Sequence, residues 1–163
     1  MEDSKPVGTP MCTRLKLTKD DDSKEVDQTL YRSMIGKLQY VVHTRPNIVF
    51  AVGMVARFSP NPKENHMMEI KRIMRYLKGT EDYELWYKKG GNLDLKEFTN
   101  VDWVGSIDDK KSTSGGALFL GKTLVPWTRK KHNCISHSTT KVEYVVVVVI
   151  VPMLFGSSSC WKV

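Results

Sequence analysis

The hydrophobic period of the chain changes at Gly79, and that change limits the fold more than any other feature. Before it, apolar residues recur every three or four positions, the spacing of a helix with one buried face. After it, short segments rich in aromatic and branched residues alternate with turn residues, the signature of strands. A run of helices followed by a run of strands reads as an α+β protein.

Three helical stripes precede the change. Leu30, Met34, Leu38 and Val41 predict a helix over 29–42, mildly interrupted by Gly36. "TRPN" breaks it, because a residue before proline is pushed out of the α region. Pro46 suits a first helical turn, and Ile48, Val52, Val55 and Phe58 predict a second helix over 46–58. After "SPNP" a third helix is predicted over 62–78, with Met67, Ile70, Met74 and Leu77 inward and Gly79 as its stop. Lys71, Arg75 and Lys78 line another side of that helix, either as a solvated face or as a nucleic-acid contact. Residues 1–27 are polar, carry Pro6 and Pro10, and read as an extended, mobile lead-in.

The strand region offers "YELWYKK", "LDLKEFTNVDW", "GALFLG" and "TLVPWT", separated by "GGN" and "KKSTSGG". Gly121-Lys122 between the last two predicts a hairpin. Further on, Ser138 or Thr139 could cap a helix containing Glu143, yet the valine and isoleucine run after Val145 disfavours one. The domain reading is therefore 1–27 as lead-in, 28–79 as a helical unit and 80–163 as a strand-rich unit.

A hydrophobic fraction of 40% over 163 residues can supply a core, and a net charge of +7 favours acidic partners, nucleic acid first. A basic solvated surface is the plainer alternative. Cys12, Cys134 and Cys160 are far apart and unpaired in pattern, which argues against a zinc site or a disulfide framework and fits a reducing compartment. The N-terminus lacks the apolar run of a secretory signal, and the apolar stretch from Tyr144 to Phe155 is too short to cross a bilayer as a helix. No membrane is expected. His43, His66, His132 and His137 show no ligand spacing and read as structural or surface residues.

Several phrases together resemble the Pol polyprotein of copia-type retrotransposons: "LYRSMIGKLQYVVHTRPNIVFAVGMVARF", "IKRIMRYLKGTEDYELWY", "DWVGSIDDKKSTSGGALFLG", "VPWTRKK" and "STTKVEYV". The likeness covers roughly residues 5–150 in the family's order. It implies that the first block closes a reverse transcriptase and the second opens a ribonuclease H-like domain. The polymerase aspartates of the family lie upstream of the matching segment, so polymerase chemistry is not expected. A three-helix unit followed by a truncated ribonuclease H-like antiparallel sheet with one helix is the fold it implies.

Enzymes of that kind cut the RNA strand of a hybrid with two divalent metals held by acidic side chains. Hard cations bind carboxylates well and neutral amides poorly. The family's first strand reads like "SDADWAG", and its leading Asp is Asn100 here. Asp102 follows two residues later on the same face of a strand, either as a partial substitute or facing water. The family's "STTEAEY" gives a second acid at Glu143, while its other Glu is Lys141, which would repel a metal. The remaining acids of the family lie beyond Val163. The implied magnesium site is thus degenerate, no cofactor is expected, and the resemblance implies an inactive remnant of a hybrid nuclease.

Lys110 and Lys111, in the turn between the first two strands, either touch backbone phosphate or face water. Two partners follow from the resemblance. One is nucleic acid, bound weakly and without sequence preference by a cytoplasmic or nuclear protein. The other arises because some plant-pathogenic oomycete proteins described as secreted RxLR effectors look like this same segment. That class suppresses plant cell death and immunity, which implies secretion into the host, in its nucleus or cytoplasm, and a host plant protein as partner. "RYLK" at Arg75–Lys78, followed by "EDYE", is the nearest approach to such a signature, and it already belongs to the third helix.

Overall fold

The structure, a computed structural model, describes residues 4–12, 17–19, 22–87, 89, 94–102, 111–132 and 140. Expectations for Lys110, Cys134, His137, Lys141, Glu143, Cys160 and the segment 141–155 fall outside them. The chain divides into two compact units, Met1–Tyr83 and Glu84–Val163.

The first unit holds α1 (Gln28–Val42), α2 (Val49–Val55) and α3 (Glu64–Lys78), with single 3-10 turns at Pro46–Ile48 and Ala56–Phe58 flanking α2. Asp27 caps α1: its Oδ1 accepts from the N–H groups of Thr29 at 2.7 Å and Leu30 at 3.2 Å. Pro46 opens the next turn, where a missing N–H costs nothing. His66 takes the capping role on α3, its Nδ1 accepting from the Lys63 N–H at 3.0 Å. The ring is fully buried and stacks on Phe58 with centroids 4.0 Å apart.

The predicted stripes of the second and third helices face the core. Ile48, Val52, Val55, Phe58, Met67 and Ile70 are buried, and Met74 and Leu77 pack against them. The stripe of α1 holds at Leu38, with Met34 and Val41 packed against the core, and departs from expectation at its start. Tyr31, Ile35 and Leu38 face inward, and Leu30 is 54% exposed. The Tyr31 hydroxyl decides this. It donates to the Val55 carbonyl at 2.7 Å, so a large ring is buried with its polar end satisfied. Burial also pushes that phenol's pKa well above its ordinary range.

The described part of the lead-in is extended and packs against the helices. Leu17 is buried in the core, with Val7 and Met11 against it. Thr9 accepts from Arg72 through both its carbonyl (3.2 Å) and its hydroxyl (2.9 Å). Val26 N–H donates to Pro62 O and Glu64 N–H to Lys24 O, which pins the strap beside the start of α3. Pro6 lies over Gly79, where an added Cβ would come within 2.7 Å of the proline Cβ. Gly79 ends α3 at φ −83°, so close approach of the strap, not a left-handed backbone, accounts for the glycine.

The second unit contains a three-stranded antiparallel sheet, β1 (Leu95–Asp102), β2 (Thr113–Leu120) and β3 (Thr123–Lys131), in the order β1-β2-β3. The predicted hairpin is present. Leu120 pairs with Thr123, and Gly121 takes φ 63° in the two-residue turn. The register slips by one residue between the Ala117–Trp127 and Phe119–Leu124 pairs. Pro126 falls in that bulge, where its missing N–H removes nothing from the ladder. Two sequence expectations change here. "STSGG" is not only a separator, because Thr113 to Gly116 pair with β1 and extend β2. "YELWYKK" forms no strand among its described residues. It instead meets β3 through side-chain hydroxyls: Tyr87 donates to Leu124 O and Thr123 to Trp86 O.

Candidate functional site

Two places carry the chemistry that the sequence suggests, one in each unit. The first is β1. Asn100 lies mid-strand opposite Gly115, and Asp102 lies two pairs further on, opposite Thr113. Asn100 is exposed, so the position that would carry a metal-binding acid opens to solvent on a rigid strand. An amide there cannot supply the negative oxygen that a hard cation prefers. Among the described residues no three His, Cys, Asp or Glu side chains gather as a metal would need.

Behind that position the sheet buries polar groups. Ser112, Thr113, Ser114 and His132 are all buried at the end of the sheet where Asp102 sits. Ser114 Oγ and His132 Nε2 are 2.5 Å apart, and the His132 N–H donates to Ser112 O at 2.9 Å. Burial, and secondarily the charge of Lys130, lower the pKa of His132 below its ordinary 6.5. The pair clasps the open end of the β2–β3 hairpin, a structural role that the sequence assigned to His132 only in general terms.

The second place is α3. Lys71, Arg75 and Lys78 recur along one side of the helix, Lys71 and Lys78 exposed and Arg75 half-buried. The side is less purely basic than its sequence suggests. Lys78 donates to Ser4 O at 3.3 Å and Arg72 is taken up by Thr9, so the strap runs along its edge. Glu69 sits among these cations. Burial raises its pKa, and Arg72 and Arg75 oppose the rise. Lys111 is half-buried just ahead of β2, in the other unit. The structure thus gathers Lys71, Arg75 and Lys78 on one helix, with Lys111 in a separate unit.

Sequence reasoning missed the aromatic character of one sheet face. Side chains directly opposite in a ladder share a face. Lys96, Phe98 and Asn100 therefore share theirs with Phe119, Ala117 and Gly115, and these with Trp127 and Arg129. The alternation in "LKEFTN" carries that signal, but only pairing shows which residues of β3 join it.

The chain belongs to the copia-type retrotransposon Pol family. The Pol polyprotein from transposon RE2 of Arabidopsis thaliana is 40% identical over 141 residues, 86% of this chain and 10% of that protein. The uncharacterized mitochondrial protein AtMg00810 of the same plant is 33% identical over 159 residues, 98% of this chain and 66% of that protein. The secreted RxLR effector protein 161 of Plasmopara viticola is 34% identical over 118 residues, covering 72% of this chain and 83% of the effector. The chain thus spans about a tenth of the Pol polyproteins it matches. No family model matches it, and no solved structure does. None of the described helices is long and apolar enough to cross a membrane.

Proposed function

We propose that the chain is a copia-type Pol segment without hybrid-nuclease activity, retaining weak, sequence-independent affinity for nucleic acid through Lys71, Arg75 and Lys78. The observation that carries this reading is Asn100. It is exposed in mid-strand, and by the resemblance it matches the family's metal-binding Asp. Replacing that ligand with an amide weakens metal capture, and Lys141 in place of a second family Glu adds repulsion. The basic side of α3 supplies what binding needs without chemistry: cations spaced along one helix that can neutralise phosphates. A cytoplasmic or nuclear location fits this use. The test is cleavage of the RNA strand of an RNA–DNA hybrid with magnesium or manganese, with binding followed across a salt series. Turnover by the wild-type protein would refute the first half. Salt-independent or sequence-selective binding would refute the second.

A second reading rests on a different observation, the relative named as a secreted RxLR effector, most of whose length this chain matches. On that reading the protein acts inside a host plant cell, through a host protein, and dampens cell death and immunity. Expression in plant leaf tissue, with cell death scored after an elicitor, separates the two. Suppression that survives replacement of Lys71, Arg75 and Lys78 favours the effector.

A further inference from the structure

We propose that the outer face of the sheet, on the Asn100 side, is a stacking platform for single-stranded nucleic acid, independent of the basic side of α3. Three aromatic rings share this face: Phe98 on β1, Phe119 on β2 and Trp127 on β3. Phe98 is 60% exposed, although it pairs edge-to-face with Phe119 at 5.5 Å between ring centroids. That pairing holds an exposed ring in a set orientation, which lowers the entropy cost of stacking a base on it. Lys96, exposed at one end of β1, and Arg129 and Lys131, half-buried on β3, bring cations to the same face. Gly115 lies between Asn100 and Arg129 on their rung, so its own position adds no side chain to the middle of the face.

The other face differs. Ser114, Gly116 and Leu118 of β2 are buried there. Among the described residues, an exposed ring and cations come together on the Asn100 face. Every base has a π-face, so rings on a sheet bind single strands with little sequence preference, while cations track the backbone. Residues two apart on a strand are about 6.7 Å apart, so the rungs from Phe98 to Asn100 give room for about two or three bases. A second copy of the chain is a poorer occupant, because a self-paired face would set Lys96, Arg129 and Lys131 against their own images. A fully paired duplex is poorer too, because its bases are already stacked.

Asn100 acquires a role on this platform. An acid at that position would repel phosphate, so the exchange that removes a metal ligand also makes the face more favourable to a polyanion.

The full chain is titrated into a labelled oligothymidylate of roughly fifteen nucleotides, and fluorescence anisotropy is read at low and at physiological salt. Wild type should bind, more weakly as salt rises. Phe98→Ala and Phe98→Leu should each weaken binding about tenfold, and Phe98→Tyr should bind like wild type. Asn100→Asp should weaken it as well. Phe98 is exposed, so circular dichroism should show these variants folded. The combined Lys71→Gln, Arg75→Gln and Lys78→Gln variant should leave the Phe98 effect intact, which separates this platform from the α3 proposal. Wild-type affinity in Phe98→Leu would overturn the proposal by reducing the interaction to apolar area. So would equal affinity for a duplex that no Phe98 variant changes, or sedimentation showing a dimer that Phe98→Ala dissociates.

Discussion

The helical unit and the sheet hold themselves together by different means. In the unit Met1–Tyr83, aliphatic and aromatic side chains from all three helices and the lead-in make one core, with Tyr31, Ile48, Val55, Ile70 and Ile73 fully enclosed. In the sheet, the buried residues described are mostly polar or small: Ser112, Thr113, Ser114 and His132, with Leu118 beside them. Among the described residues, the first unit shows apolar transfer and close packing, and the second a ladder and a clasp of hydrogen bonds. The lesson concerns tolerance. A change on exposed surface costs a fold little, and Asn100 stands on exposed surface.

The largest expected effect probes the core directly. Ile73→Ala should cost the helical unit about 2–5 kcal/mol, from lost transfer and the cavity left behind, measured by denaturant unfolding followed by circular dichroism. A loss below about 1 kcal/mol would mean that this unit is no better packed than the sheet, and the contrast would fail.

The next effect concerns the strap. Gly79→Ala places a methyl against Pro6, and a rigid ring cannot yield as a flexible side chain can. Residues 4–9 should lift from α3 at a cost of about 1–3 kcal/mol. Amide exchange and limited proteolysis should then find the N-terminus open while α1 to α3 stay protected. Unchanged protection of residues 4–9 would show that the strap is not held at Gly79.

The sheet should lose stability as pH falls below neutrality. His132 has its pKa lowered in the folded state, so the unfolded chain takes up a proton first as pH falls. The stability it contributes is complete above about pH 6.5 and declines below it, until the folded group also titrates. Ser114→Ala, which leaves Nε2 without its partner, should cost about 1–3 kcal/mol at neutral pH. His132→Gln should flatten the acid limb of the sheet's stability, read by exchange of β2 amides. An acid limb that survives in His132→Gln would place the titration elsewhere.

The smallest effect on stability, though not on binding, concerns α3. Changing Lys71, Arg75 and Lys78 to Gln should alter unfolding by less than about 0.5 kcal/mol each, as surface changes do. The slope of log affinity against log salt should flatten by about 0.7–0.9 for each phosphate no longer neutralised. A slope that does not move removes that side of α3 from the interface.

Much of this fold is legible in the sequence where the signals are local. Pro46 and Gly79 mark helix limits, and Gly121-Lys122 marks the hairpin, because φ restrictions act within a few residues. The inward turn of Tyr31 in place of Leu30 at the start of α1 is not legible, since Leu30 outranks Tyr31 on any apolar scale until Val55 O offers the phenol a partner 24 residues away. The packing of the strap is hidden for the same reason. Leu17 and Val7 have no period of their own, and their burial depends on α3. At the candidate site, Asn100 and Asp102 are legible as positions on one strand, and the family resemblance gives them meaning. The aromatic face is not, because Trp127 joins Phe98 only through the register set by β2 and the bulge at Pro126.

The most direct test of a nuclease ancestry without nuclease activity is a hybrid-cleavage assay on the wild-type protein and on Asn100→Asp, with magnesium and then with manganese. Neither protein should release RNA fragments. On the proposed reading the new Asp still lacks a family partner, with Lys141 standing at the second acid's position, and a lone added carboxylate does not rebuild a two-metal site. Cleavage by Asn100→Asp that Glu143→Gln abolishes would contradict this, because it would show a complete metal site disabled by one amide.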